Sequence, residues 1–282
     1  MARPPSAREN TTLAVVERER RELAPPLKWA GGKRWLVAIL RPLWQQHSHR
    51  RLVEPFVGGM AIALGLSPTD AVLNDTNVHL INFYTWLQRG LISNIPMMND
   101  KDFYYQQRTH FNELVANEQG ATQEAAELFY YLNRTGYNGL CRFNSKGGFN
   151  VPFGRYKAIN YTRDFTPYSA LLSSWSFTSG DFSRVLVSSG DFIYADPPYD
   201  VEFTTYSPGG FSFADQIRLA EWLAKHPGPV VASNQATERI LNLYTKLGFQ
   251  IAMYDAPRMI ACNGDRTPAR EMLATRGVGA EF

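Results

Sequence analysis

Asp191-Phe192-Ile193-Tyr194-Ala195-Asp196-Pro197-Pro198-Tyr199 is an apolar and aromatic run that stops at a carboxylate, two prolines and a phenol. The run predicts a buried strand. Proline fixes its own φ, lacks an N–H and pushes the preceding residue out of the helical region. The strand must therefore stop at Asp196, with the chain held rigid and extended just beyond the sheet edge. In an open α/β sheet that edge is where ligands bind. Asp196, the carbonyls of Pro197 and Pro198, and the ring of Tyr199 would then face one crevice. An ordinary strand followed by a proline turn fits these residues equally well, so the neighbouring segments decide the reading.

Upstream, Leu52-Val53-Glu54-Pro55-Phe56-Val57-Gly58-Gly59-Met60 reads as a strand, a glycine turn and the start of an apolar helix. The turn is a nucleotide-cofactor loop in kind, although it is not GxGxxG. Ala71-Val72-Leu73-Asn74-Asp75 is a second strand ending in an acid. Doubly wound folds hold a ribose hydroxyl with an acid at that place. Before both lies Leu27-Lys28-Trp29-Ala30-Gly31-Gly32-Lys33-Arg34-Trp35, with Leu36, Ile39, Leu40 and Leu43 following at helical spacing. It is a loop opening a helix, whose N-terminus favours an anion, with Trp29 as a stacking face. Its glycine spacing is not that of a P-loop; the plainer alternative is a glycine turn with solvated lysines.

From 78 to 162 helical patterns dominate, and 133–157 interleaves Arg and Lys with Asn, aromatic and Gly residues. Arginine forks and asparagine amides read base edges, and aromatics stack on exposed bases. That composition favours nucleic acid, against a solvated loop anchored by its aromatics. Thr178-Ser179-Gly180-Asp181-Phe182 then brings an acid in front of the central strand. Residues 201–210 lack periodicity and are predicted to be a flap over the site. Ser212 caps a helix carrying Ile217, Leu219, Ala220, Trp222 and Leu223. Pro229-Val230-Val231-Ala232-Ser233-Asn234 is another strand with a polar end, and a helix over 238–247 stops at Gly248. Two closing strands are predicted at 248–254 and 271–275, with Arg258, Asn263, Asp265, Arg266 and Arg270 on the loop between them.

The 282 residues, 44% hydrophobic and 20% charged, suit one large globular domain or a domain carrying an insertion. No apolar run approaches a membrane span, and the polar start lacks the apolar core of a signal peptide. Two cysteines, Cys141 and Cys262, are too few for a disulfide framework or a thiolate metal site, and the five histidines show no metal-ligand spacing. The expected setting is a reducing cytoplasm, with no metal and no membrane. A net charge of +3 permits nucleic-acid binding without indicating it. Residues 1–26, rich in Arg, Glu and Pro, read as an extension outside the core, with a mixed-charge helix over 13–23 closed by Pro25-Pro26.

Five motifs therefore stand in one order: Lys-Trp-Ala-Gly-Gly-Lys, Glu-Pro-Phe-Val-Gly, Asn-Asp, Asn-Arg-x-Gly-Tyr-Asn-Gly-Leu-Cys-Arg and Asp-Pro-Pro-Tyr. In this the chain resembles the Dam family of DNA adenine methyltransferases, the α-group or D12 class of S-adenosylmethionine-dependent amino methyltransferases. The resemblance runs from Leu27 to about Thr275. It implies a Rossmann-like α/β methyltransferase sheet with an inserted, mainly helical target-recognition domain. The catalytic part would be 27–77 and 163–282, and the insertion 78–162, with its DNA-reading loop near 133–157. The donor would be S-adenosylmethionine, leaving S-adenosylhomocysteine. Trp29, Lys33, Asp75 and Asp196 match cofactor-binding positions, the loop Glu54, Phe56 and Gly58 would face the methionine part, and Asp181 matches an acid near the adenine ring. Tyr137 and Leu140 match residues that prop the duplex open. Lys28, Arg142, Asn144, Pro152 and Arg155 match readers of GATC, with Tyr156 supporting that surface. The implied partner is double-stranded DNA, with no obligate protein partner, in a bacterial cytoplasm whether nucleoid-associated or phage-encoded.

The chemistry agrees with the resemblance. The exocyclic amine of adenine is a poor nucleophile because its lone pair is delocalised into the ring. Asp196 and the Pro197 carbonyl can accept its two N–H groups and free that lone pair, with Pro198 stiffening the turn and Tyr199 stacking on the base. A paired base cannot reach such a pocket and must be flipped out. An RNA adenine or protein glutamine methyltransferase is the competing enzyme reading. Glutamine enzymes of this fold usually carry Asn-Pro-Pro-Tyr, and the long insertion favours duplex DNA. A DNA-binding regulator with a dead site is a third reading, opposed by the intact Asp196–Tyr199 and Glu54–Gly59 segments.

Overall fold

The computed structural model describes residues 23–199, 210–256 and 269–279. Five short parallel strands form one side of the sheet: β1 (Leu52–Glu54), β2 (Ala71–Asp75), β3 (Trp175–Ser179), β4 (Phe192–Ala195) and β5 (Val230–Gln235). β6 (Gln250–Ala256) and β7 (Ala269–Arg276) complete it, with β7 antiparallel to both β5 and β6. The order is β3-β2-β1-β4-β5-β7-β6. This is the expected Rossmann-like methyltransferase sheet.

The helices are α1 (Val37–His47), α2 (Ala61–Leu66), α3 (Val78–Gln88), α4 (Lys101–Ala116), α5 (Gln123–Thr135), α6 (Thr166–Leu172), α7 (Phe213–Ala224) and α8 (Glu238–Lys246). They cover both faces of the sheet, which is why β4 is apolar at every position. Phe192 and Tyr194 face one core, with Leu40, Leu43 and Trp44 of α1. Ile193 and Ala195 face the other, with Leu219 and Leu223 of α7 and Ile240 of α8. The two-residue period of a strand divides the run between two cores. α3 packs on β3 and also on α5 and α6, and Phe83 stacks on Tyr130 at 5.5 Å. After α5 the chain forms a long loop tied by two isolated bridges, Gly136 with Phe153 and Phe143 with Phe149.

Strand order reverses between β1 and β4, so a crevice opens beyond their C-terminal ends. Glu54, Asp75 and Asp196 stand at that edge. Antiparallel β7 enters the sheet from the same edge, pairing Glu271 with Gln235 at the end of β5.

Two elements differ from expectation. β3 was not foreseen, because only Trp175 of its five residues is buried and no apolar run announces an edge strand. Arg270 lies in β7 opposite Asp255, not in the loop, because backbone pairing extends beyond the apolar residues. The 13–23 helix lies almost wholly, and the 201–210 flap almost wholly, outside the described residues, as do Arg258, Cys262, Asn263, Asp265 and Arg266. Among the described residues no helix is long and apolar enough to cross a membrane.

Candidate active site

Pro197 ends the ladder where the strand pattern said it must, so Asp196 is the first residue beyond β4. Its side chain is 20% exposed. Ser233, from the end of β5, donates its hydroxyl to Asp196 Oδ1 at 2.8 Å. Tyr194 lies 3.0 Å from Ser233 Oγ. The serine hydrogen is already given to Asp196, so Tyr194 donates to the serine and a relay of hydroxyls fixes the carboxylate. Burial pushes Asp196 up to about 6, against the pull of Lys33 and Ser233.

Lys33 is buried, and Asp196 and Tyr199 from the turn after β4 and Glu271 from β7 converge on it. Its Nζ lies 3.6 Å from Asp196 Oδ1 and 3.2 Å from Glu271 Oε1, and it donates to the Tyr199 hydroxyl. The ammonium also lies over the Tyr199 ring. Burial, followed by the charges of Asp196 and Glu271, raises the Tyr199 phenol, so the hydroxyl stays protonated. Gln216 of α7 donates to the Pro198 carbonyl at 2.8 Å, and Asn234 donates to Gln216 at 2.9 Å. The Asp-Pro-Pro-Tyr turn is thereby tied to α7 and β5.

Glu54 closes β1 beneath the glycine loop and is 2% exposed. Its Oε1 has no hydrogen-bond partner among the described residues. Burial, then the charge on Asp196, holds its carboxyl well above the usual range, against a single backbone N–H from Ala63. Asp75 gathers the loop, accepting from Gly58 N at 3.1 Å and Asn77 N at 2.9 Å. Gly58 has φ +45°, and a Cβ there would stand 2.8 Å from Trp29 Nε1. The indole of Trp29 thus lies directly on the loop because the loop has no side chain at that point. Phe56 packs against Phe182 and Phe211, each at 5.6 Å. Asp181 accepts a bidentate pair from Arg218, both bonds 2.8 Å, and Arg218 holds it well below the usual carboxylate range. That carboxylate is engaged by a partner on α7.

A second constellation lies at the insertion. Asn133 at the end of α5 accepts from Lys28 N at 2.9 Å and donates to Lys28 O at 2.8 Å, pairing with the backbone as a strand would. Lys28 Nζ donates to Arg134 O at 2.9 Å and lies 3.6 Å from the centre of the Tyr156 ring. Burial, and then the neighbouring Arg134 charge, brings Lys28 down to about 8. Gly139 has φ +62°, and a Cβ there would collide with Lys28. Tyr137 is 49% exposed beside half-buried Leu140. Arg142 is held by Asn150 at 2.8 Å, and Asn144 accepts the N–H groups of Lys146 and Gly148. Pro152 and Arg155 are exposed on the same loop.

The structure thus brings Lys33, Asp196 and Tyr199 together, with Glu54 close enough to feel the charge of Asp196. It sets Trp29, Gly58 and Asp75 around one loop, and joins Lys28 to Tyr156. Arg142 and Asn144 are partly spent on the shape of their own loop. Sequence reading assigned no role to Ser233, Gln216, Arg218, Asn133 or Glu271. The polar end of β5 was a signal for Ser233. Glu271 had none, because a lone acid at the start of a closing strand looks like an exposed edge residue.

Comparison with known proteins adds four findings. A family model described as D12 class N6 adenine-specific DNA methyltransferase matches residues 29–260. The DNA adenine methylase of Vibrio cholerae serotype O1 is 37% identical over 271 residues, covering 88% of this chain and 94% of that protein. Type II methyltransferase M1.LlaDCHI of Lactococcus lactis subsp. cremoris is 33% identical over 278 residues, covering 92% of this chain and 95% of that protein. The DNA N-6-adenine-methyltransferase of Escherichia phage P1 is 34% identical over 266 residues, covering 87% of this chain, which spans 34% of that longer protein.

Proposed function

The chain belongs to the D12 class of N6 adenine-specific DNA methyltransferases, and from that premise we propose that it methylates the adenine of GATC in duplex DNA after flipping the base into the crevice beyond β1 and β4. Asp196 carries this reading: a half-buried carboxylate, fixed by Ser233 and set beside Tyr199, at the end of the central strand.

Family membership implies S-adenosylmethionine as methyl donor, and the residues fit it. Glu54 presents a buried, unfilled oxygen that suits an ammonium, and Trp29 and Asp75 frame the loop beside it. We assign Trp29, Lys33, Glu54, Phe56, Gly58, Asp75, Asp181 and Asp196 to its binding. When bound, the donor supplies an activated methyl group. The protein's part is to present the amine. Asp196 and the Pro197 carbonyl take its N–H groups, and the lone pair is freed from the ring. Tyr199 holds the base flat. The proton shed as nitrogen bonds to carbon passes to Asp196, whose raised proton affinity suits the step. Positioning the two reactants accounts for much of the rate.

Residues 78–162 form the target-recognition part on this reading, and 27–77 with 163–282 the catalytic part. Tyr137 and Leu140 hold the duplex open. Lys28, Arg142, Asn144, Pro152 and Arg155 read the bases, supported by Tyr156. Residues 1–26 are an extension, and the DNA substrate sets the enzyme in the bacterial cytoplasm. Tritiated-methyl transfer to duplexes with single changes in GATC tests the specificity; equal labelling of all of them sinks it. Asp196→Ala should abolish transfer while DNA binding persists, and retained methylation would sink the chemistry.

A further inference from the structure

Glu271 is the acid that neither the sequence motifs nor the proposed roles absorb. It lies in the antiparallel strand β7, and its side chain is 9% exposed. Oε1 is 3.2 Å from Lys33 Nζ, while Oε2 is buried without a hydrogen-bond partner among the described residues. One oxygen of this carboxylate is paired and the other is open, and its lysine stands 3.6 Å from Asp196 Oδ1. Buried acceptors are nearly always satisfied, so an unfilled one calls for an explanation.

We propose that Glu271 is a positioning residue that holds the Lys33 ammonium away from Asp196 and takes it over when the adenine amine arrives. The inference rests on the reading that this crevice binds adenine. Asp196 Oδ1 already accepts from Ser233, and Lys33 stands off at 3.6 Å, longer than a good hydrogen bond. The amine must use that same carboxylate. A lysine with no other acid would be drawn onto Asp196 and compete with the substrate. Glu271 supplies the other acid, and its open Oε2 accepts a second N–H as the ammonium withdraws. The four-carbon stem of lysine permits such a shift without backbone movement. The groups facing Asp196 are Lys33 from the opening loop, Glu54 from β1, Tyr194 from β4, Tyr199 beyond it, Ser233 from β5 and Glu271 from β7. Among these Glu271 is the acid that reaches the lysine.

Glu271→Gln keeps the shape and removes the charge. In steady-state methylation of a GATC duplex, kcat should fall about tenfold, the scale of one charge-assisted hydrogen bond. KM for DNA should stay within about twofold, because the duplex is gripped elsewhere. The acid limb of the kcat profile should move down by about one pH unit, since a like charge has gone and Lys33 has closed on Asp196. Glu271→Asp should restore the acid limb and most of kcat. A wild-type kcat with an unmoved limb in Glu271→Gln overturns the proposal. So does a loss of kcat with an unmoved limb that Glu271→Asp fails to rescue, which is what strand packing alone would give. If Glu271→Gln does not fold, Glu271→Asp is combined with Lys33→Met. Acting through one contact, the two changes must be non-additive, and additive losses refute the idea. Failure of the wild-type chain to methylate adenine would instead sink the underlying reading.

Discussion

Asparagine at position 196 should make the protein more stable and the enzyme inactive, with the stability gain tied to pH. The carboxylate is 20% exposed at the end of β4. Burial raises it from an ordinary 3.8 to about 6. That gap corresponds to at most about 3 kcal/mol of extra cost for ionising Asp196 in the folded chain. Because the folded value is raised, the favourable contribution is fully present below about 3.8 and is lost as pH rises through about 6. Asparagine has no charge to form, so that loss disappears. Lys33 keeps Glu271 as its counter-ion, and Ser233 can donate to the amide oxygen. At pH 8 a gain of about 1–3 kcal/mol should raise the melting temperature by roughly 2–10 °C. At pH 5 the wild-type carboxyl is mostly protonated, so the two proteins should melt nearly together. Methyl transfer should fall at least about a hundredfold, since a charged acceptor is replaced by a neutral amide. Calorimetry across pH 5 to 8 checks the stability arm. A variant less stable at pH 8, or one whose gain is the same at both ends, would refute the reasoning.

Asn133→Ala leaves the Lys28 N–H and C=O without partners; denaturant titration should show a loss of about 2–4 kcal/mol, and an unchanged midpoint would show the clip to be dispensable. Gly58→Ala forces a Cβ into a positive-φ site against Trp29; it should cost about 1–2 kcal/mol in stability and weaken methyl-donor binding by calorimetric titration, whereas native affinity would remove the loop from the donor site. Arg155→Ala, exposed and outside the core, should lower discrimination at one base pair by about 1–3 kcal/mol while leaving donor affinity alone; equal losses on every duplex would make Arg155 a phosphate contact instead.

The sheet was legible where strands are covered on both faces. β1 and β4 announce themselves as apolar runs, and the glycine turn at 58–59 and the prolines after Asp196 fix where they stop. β3 was illegible because an edge strand needs only one buried side chain, and here Trp175 supplies it. The same contrast holds at the site. Asp196, Tyr199 and Gly58 stand in motifs whose local backbone dictates the residue type. Glu271 and Gln216 are chosen by partners far along the chain, and no local pattern marks them. Asp181 shows the converse: its position in the chain was readable, but its bidentate engagement by Arg218 depends on α7 packing.

The contact between Lys33 and Glu271 joins residues 238 positions apart. It therefore closes nearly the whole chain into one loop, and it cannot form until β7 has threaded between β5 and β6. During synthesis the glycine loop and the Asp-Pro-Pro-Tyr turn emerge long before that strand does. A nascent chain halted before residue 269 has both motifs yet lacks the acid that restrains the lysine. The site is thus completed last, so full methylation activity requires that the entire sheet has assembled.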